Sequence, residues 1–183
     1  MTRFLDIFFS AIGLTLGCPL LALIALLGWF DTGSPIFRQV RLGRLQQPFT
    51  LVKFRTMRPG TASVATHLAN AYSITPLGRF LRRTKLDELP QLWNVLIGDM
   101  SLVGPRPCLL NQTELISARE AHGVFDVRPG ITGLAQVSGI DMSTPELLAQ
   151  TDAQLVKNLT VLSYFSLILQ TLKGKGAGDR VRA

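Results

Sequence analysis

No charged residue occurs between positions 7 and 30, and an uncharged apolar run of that length has few places to fold outside a lipid bilayer. A straight helix needs about 20 residues to cross the hydrocarbon core, so this one is long enough. It is too long for the apolar stretch of a cleaved signal peptide, and no small-residue cleavage site precedes the next structured segment. Pro19 lies in the middle of the run, where it removes a backbone hydrogen bond and crowds the preceding turn. Gly13, Gly17 and Gly28 loosen the same segment. Arg3 flanks it on one side, and Arg38, Arg41 and Arg44 on the other. The richer flank should be cytoplasmic. A helix broken at Cys18-Pro19 that enters and leaves one leaflet keeps both basic flanks on that side, and this re-entrant form is favoured over a full span.

Charge points to the same surroundings. Lys and Arg total 19 against 12 Asp and Glu, a formal balance of +7, which favours anionic partners. Only 17% of residues are charged, below the roughly 25% usual in soluble proteins, and mean hydropathy is +0.29. A basic but apolar chain is matched to lipid surfaces and phosphorylated molecules. No nucleic acid is expected, since there is no RNA-binding aromatic motif and no helix-turn-helix pattern. Cys18 and Cys108 make no C-x-x-C pair, and His67 and His122 lack zinc-ligand spacing. Any metal should therefore be a hard cation held by carboxylate and phosphate oxygens.

After Asp31 the pattern changes to short elements. Residues 36–42 and 49–57 are rich in β-formers and read as a hairpin across the loop 43–48. Residues 60–66 read as a loop and 76–83 as a short basic helix. Leu86, Leu89, Trp93 and Leu96 recur at helical spacing and predict one apolar face, with Trp93 packed in the core. Pro90 fits only the first turn of that helix, which places Asp87 and Glu88 at or just before its start, and Gly98 ends it. Residues 111–122 form a surface helix, and 128–139, too glycine-rich for a helix, give turns and a short strand. Residues 145–173 carry one or two helices. The fold class is α+β, mainly helical. The division is a membrane helix at 1–30, a catalytic domain at 31–173 and a basic mobile tail at 174–183.

The densest chemistry lies in Lys85-Leu86-Asp87-Glu88-Leu89-Pro90-Gln91-Leu92-Trp93-Asn94. Two adjacent carboxylates follow a cationic run, Arg79, Arg82, Arg83 and Lys85, and Arg106 comes later between Pro105 and Pro107. Acids at a helix start also suit the helix dipole. With so many cations nearby, however, the stretch reads as a site for a phosphorylated substrate, a metal ion, or both.

These segments resemble the bacterial sugar transferase family, the monotopic phosphoglycosyl transferases that start glycan assembly on a polyprenol carrier. The resemblance rests on the apolar helix with its central proline, on Lys53-Phe54-Arg55-Thr56-Met57 and on Leu86-Asp87-Glu88-Leu89-Pro90-Gln91-Leu92-Trp93-Asn94. Two further segments carry it, Gly98-Asp99-Met100-Ser101-Leu102-Val103-Gly104-Pro105-Arg106-Pro107 and Arg128-Pro129-Gly130-Ile131-Thr132-Gly133. It covers nearly the whole chain, whose length matches the small members of the family.

The resemblance implies transfer of a phosphosugar from a UDP-sugar to polyprenyl (undecaprenyl) phosphate, with Mg²⁺ and a covalent aspartyl-phosphosugar intermediate. It also implies a bacterial inner membrane, a catalytic domain on the cytoplasmic face, and a role in the first membrane step of glycan assembly. On that reading Asp87 is the nucleophile, and Glu88 holds Mg²⁺ or assists the acceptor; both carboxylates are candidate metal ligands. Lys53, Arg82, Arg106 and Arg128 are candidate phosphate and nucleotide contacts. The chain departs from the family pattern in four places. It has Cys18 before the helix proline where Ser is usual, and Ile140 after Gly139 where Arg is usual. Leu155 and Ser163 stand where the family tends to carry Tyr and Asp. An inactive membrane-anchored scaffold is the alternative reading, and a homo-oligomer is left open.

Overall fold

A computed structural model of the chain describes residues 2–61 and 71–176. His67, most of the expected loop 60–66 and the tail from 177 onward lie outside the described residues.

Helix α1 (Thr2–Thr32) is a single element that continues through Cys18 and Pro19. It is long and apolar enough to cross a membrane, yet both of its ends are tied to the remainder of the chain. Near its start Arg3 donates to the carbonyls of Val95 and Leu96. One turn on, the buried Asp6 carboxylate accepts from Ser101 Oγ, the Leu102 amide and the Tyr164 hydroxyl at 3.0, 3.0 and 2.7 Å. At its far end Asp31 accepts from Thr75 Oγ1 at 2.6 Å, and Ile24 packs with Phe54 and Leu81. The opposite side of α1 exposes Phe4, Phe8, Leu16, Leu23, Trp29 and Phe30.

The hairpin pairs β1 (Ile36–Leu42) with β2 (Pro48–Phe54), Ile36 opposite Phe54 and Leu42 opposite Pro48. Its loop is a 3-10 turn in which Leu45 and Gln46 take positive φ. Helix α2 (Pro76–Thr84) starts under a Thr75 cap, with Pro76 in its first turn, and stops where Lys85 turns left-handed. A 3-10 turn, Leu86–Glu88, leads to α3 (Gln91–Ile97), which Gly98 closes.

Strand β3 (Ser101–Val103) pairs in parallel with β4 (Gly130–Thr132), a sheet that the sequence pattern signalled only on the β4 side. Just beyond β3, Gly104 and Gly130 pass so close that a Cβ on either would collide with the other's segment. Three backbone bonds close this seam, from Ser101, Gly104 and Gly130 to Pro129, Thr132 and Pro105. Helix α4 (Thr113–Ala121) lies between the two strands in sequence. A one-turn helix, α5 (Leu134–Val137), then follows β4. The region 128–139 thus does hold a helix, because Gly133 and Gly139 fall at its edges and leave Leu134, Ala135 and Gln136, three good helix formers, between them. Two helices follow in the described residues, α6 (Pro145–Asn158) and α7 (Val161–Leu172), the latter opened by a reciprocal Thr160–Ser163 capping box.

Helix α3 overturns one expectation. Its apolar stripe does not face the core. Gln91, Asn94 and Val95 are buried, whereas Trp93 and Ile97 are each 53% exposed. Trp93 is therefore not a core residue. The inward face is held by hydrogen bonds: Asn94 accepts from the Val52 amide and donates to the Thr50 carbonyl and to Asp99. The outward stripe lies beside α1, where Leu92 crowds Gly13.

Candidate active site

Asp87 and Glu88 occupy a turn too short to be a helix of its own. Lys85 turns the chain left-handed at φ 58°, and Pro90 then commits it to α3. The turn packs against β2 and α2, so both carboxylates are carried inward: Asp87 is 2% exposed and Glu88 is buried. Adjacent buried carboxylates repel unless cations neutralise them. Arg106 supplies one such cation, donating from Nη1 and Nη2 to Glu88 Oε1 at 3.2 and 3.1 Å. The Lys85 ammonium is pushed below the usual lysine range by burial, which outweighs the raising influence of Glu88, and Arg106 lowers it further. Lys85, Glu88 and Arg106 thus form one electrostatic cluster.

Arg106 is positioned from behind. Its carbonyl accepts from Nη1 of Arg119 at 2.8 Å, and Arg119 is itself buried against Asp152 at 2.6 and 3.0 Å. Arg41 donates to the Pro107 carbonyl at 3.1 Å. Between these two arginines and the flanking prolines, the backbone around Arg106 has little freedom, so little entropy is lost when the guanidinium engages an anion.

The remaining predicted residues divide into two groups. Lys53 is buried on β2, the strand that packs on the catalytic turn, with its ammonium 5.7 Å from the Phe37 ring. Arg82 donates to Thr56 Oγ1 at 2.8 Å, which joins α2 to the end of the Lys53–Met57 segment. That junction is tight, because a Cβ at Gly78 would collide with the Thr56 backbone. Arg128 sits apart from these. It donates to the Gly98 carbonyl at 2.7 Å and lines a separate cavity of about 230 Å³ with Arg3, Asp6 and Arg44.

Among the described residues no group of three or more His, Cys, Asp or Glu could hold a metal ion. The donor set at the turn is two hard carboxylates. That fits Mg²⁺, which commonly takes one or two carboxylates and completes its shell with substrate phosphates and water.

Sequence comparison agrees with the arrangement of these segments. The family described as bacterial sugar transferase matches residues 1–175. The chain belongs to that family. Among its relatives is the UDP-glucose:undecaprenyl-phosphate glucose-1-phosphate transferase of Caulobacter vibrioides, 39% identical over 180 residues, covering 93% of this chain and 67% of the relative. The exopolysaccharide production protein PSS of Rhizobium leguminosarum bv. phaseoli is 37% identical over 180 residues, covering 92% and 88%. The UDP-galactose-lipid carrier transferase of Erwinia amylovora is 35% identical over 192 residues; the match takes in 93% of this chain but only 40% of that protein.

The four departures of this sugar transferase from its family pattern all have structural settings. Leu155 is buried beside Tyr164 and Leu167, Ser163 completes the α7 cap, and Ile140 packs near Cys108 and Leu148. Cys18 is exposed on α1. Three groups escaped the sequence reading. The Arg119–Asp152 pair gave no signal, because two ordinary surface-type residues 33 positions apart meet only in the fold. Asp6 borders the apolar run and could have been flagged, since a carboxylate there needs partners. Lys85 stood in the cationic run but received no role of its own.

Proposed function

We propose that this sugar transferase moves a phosphosugar from a UDP-sugar to polyprenyl phosphate and releases UMP. The observation that carries the reading is the buried Asp87–Glu88 turn with Arg106 clamped on Glu88, in a chain of this family. Relatives named for UDP-glucose and UDP-galactose donors support the substrate class and leave the sugar open.

An Asp87 carboxylate oxygen attacks the sugar-bearing phosphorus, and the bond from that phosphorus to the bridging oxygen breaks as UMP departs. An acyl phosphate results, of the kind that other enzymes use as covalent intermediates. An oxygen of the acceptor phosphate then attacks the same phosphorus. The acyl phosphate bond breaks, Asp87 is restored, and the product is a polyprenyl diphosphosugar. With a reference pKa of about 3.9, an aspartate needs no tuning to be ionised at neutral pH. What it needs is cancellation of the charge on the diphosphate, which Arg106, Lys53 and Arg82 are disposed to provide. Mg²⁺, held by Asp87 or Glu88 together with the donor's phosphates, would add further neutralisation. Glu88 keeps Arg106 oriented until the substrate arrives.

The residues beyond α1 act as a catalytic domain on the cytoplasmic face of a bacterial inner membrane, at the first membrane step of glycan assembly. Attachment of both ends of α1 to the same body supports a helix held in one leaflet, entering and returning, over one that crosses. The test is UMP release from a panel of UDP-sugars, with Mg²⁺ and short polyprenyl phosphate. Wild type should release UMP with one or two sugars, and Asp87→Asn should lose at least about a hundredfold in rate while still associating with membranes. Residual activity above about one per cent in folded Asp87→Asn would overturn the nucleophile assignment.

A further inference from the structure

An apolar cavity beside the catalytic turn has no part in the chemistry described so far. It encloses about 290 Å³ between the turn and α3 on one side and β4 and α7 on the other. Leu86, Leu89, Leu92, Ile131, Ile168 and Leu172 give it an apolar wall, and among the described residues its charged lining is Lys85 and Glu88. This size is near the lower end for ligand pockets. An apolar slot that opens at one end onto Lys85 and Glu88, beside Asp87, suits a ligand with a greasy body and an anionic head.

The cavity also connects to the outer apolar surface. Leu172 lines it and is 78% exposed, and Leu169 and Leu162 on the same helix are exposed too. Phe165 of α7 meets Phe9 of α1 edge to face, with ring centroids 5.8 Å apart. Leu92 touches α1 at Gly13. The slot therefore leads from the lipid-facing helices to Glu88. Lys85 stands on its wall, with Nζ donating to the Lys175 carbonyl at 2.6 Å. A single neutral acceptor leaves the other ammonium protons available, since lysine carries three.

We propose that this slot seats the first isoprene units of the acceptor, with Lys85 as the contact for the acceptor's phosphate. The inference rests on the reaction proposed above and assigns its second substrate a place. The UDP-sugar has no use for such a wall, being polar at both ends. Commitment to the lipid acceptor follows from the continuity with α1 and α7. The remainder of a long polyprenol would stay in the bilayer, because the volume admits only its proximal end.

The test uses the full chain in nanodiscs. Ile168→Trp fills the slot, and Lys85→Gln removes its cation. Each should raise the acceptor KM by about tenfold, equivalent to about 1.4 kcal/mol, and Ile168→Trp should leave the donor KM unchanged. A rise in donor KM instead, or no change in either, would overturn the proposal. As a check that does not depend on turnover, polyprenyl phosphate carrying a photoreactive group on its first isoprene unit is crosslinked to wild type. Adducts at residues 86–92 and 168–172 support the seat, and adducts confined to other segments overturn it. Labelling there by a wild type that releases no UMP from any donor would support the seat and sink the reaction.

Discussion

The two faces of α3 carry opposite chemistry to what a helix in water would show. Gln91 and Asn94 point inward with the Asp87–Glu88 turn before them, and Trp93 and Ile97 point outward beside the apolar side of α1. Inside, polar pairs sit beside the apolar cluster of Val95, Leu51 and Met100: Asn94 on the hairpin, Arg106 on Glu88 and Arg119 on Asp152. Outside, a surface of Phe, Leu and Trp runs over α1, α3 and α7. An exposed apolar patch of that extent is a contact surface, because soluble monomers rarely tolerate one. The inner face is fixed by hydrogen bonds and ion pairs, whereas the outer face leaves its apolar side chains exposed.

Four substitutions sharpen or break this contrast. Arg119→Met should have the largest effect, since it leaves Asp152 as an uncompensated buried charge; breaking such a pair costs about 3–5 kcal/mol. Denaturant unfolding in detergent would measure it. Adding Asp152→Leu should recover most of the stability, because a buried pair replaced by apolar side chains is often neutral. It should not recover activity, because the Arg106 carbonyl has still lost its donor. Full activity in the stable double variant would show that Arg119 serves only packing.

Asn94→Ala should come next, at about 1–3 kcal/mol, as the Val52 amide and Thr50 carbonyl lose their partner. A loss under about 0.5 kcal/mol would mean that water replaces the side chain freely. The smallest effect is expected for Trp93→Ala, whose stability cost should stay within about 0.5 kcal/mol, as for a surface site, while membrane partitioning falls. Val95→Ala, two residues on but fully buried, should show the reverse, with a stability loss of about 1–3 kcal/mol and unchanged partitioning. Equal behaviour of the two variants would dissolve the distinction between the faces.

Much of this was legible from local signals. Pro76, Pro90, Gly98 and Pro145 punctuate helices through backbone constraints that hold anywhere, so α2, α3 and α6 could be read directly. The hairpin followed from β-formers on either side of a turn. Trp93 was misplaced because helical spacing reveals an apolar stripe without saying what it faces, and the rule that such stripes face inward assumes water outside. Likewise, the pairing of β3 with β4 depends on two glycines far apart in sequence, and no local pattern announces it. Of the candidate site, the carboxylates and Arg106 belonged to compact motifs. Arg119 and Asp152 became visible only when the fold brought them together behind Arg106.

Asp6 carries a consequence for the order of synthesis. Its three donors lie at Ser101, Leu102 and Tyr164, the last 158 positions downstream. At about 5–20 residues per second, translation takes roughly ten to thirty seconds to deliver that tyrosine. Until then α1 can meet the bilayer, but its leading carboxylate has only the Ser101 and Leu102 donors to draw on and lacks its third. The first turn is thus fastened by α7, and docking of α1 is completed only once that helix has been made. Nascent chains stalled before Val161 should leave that turn open to protease, and full-length chains should protect it.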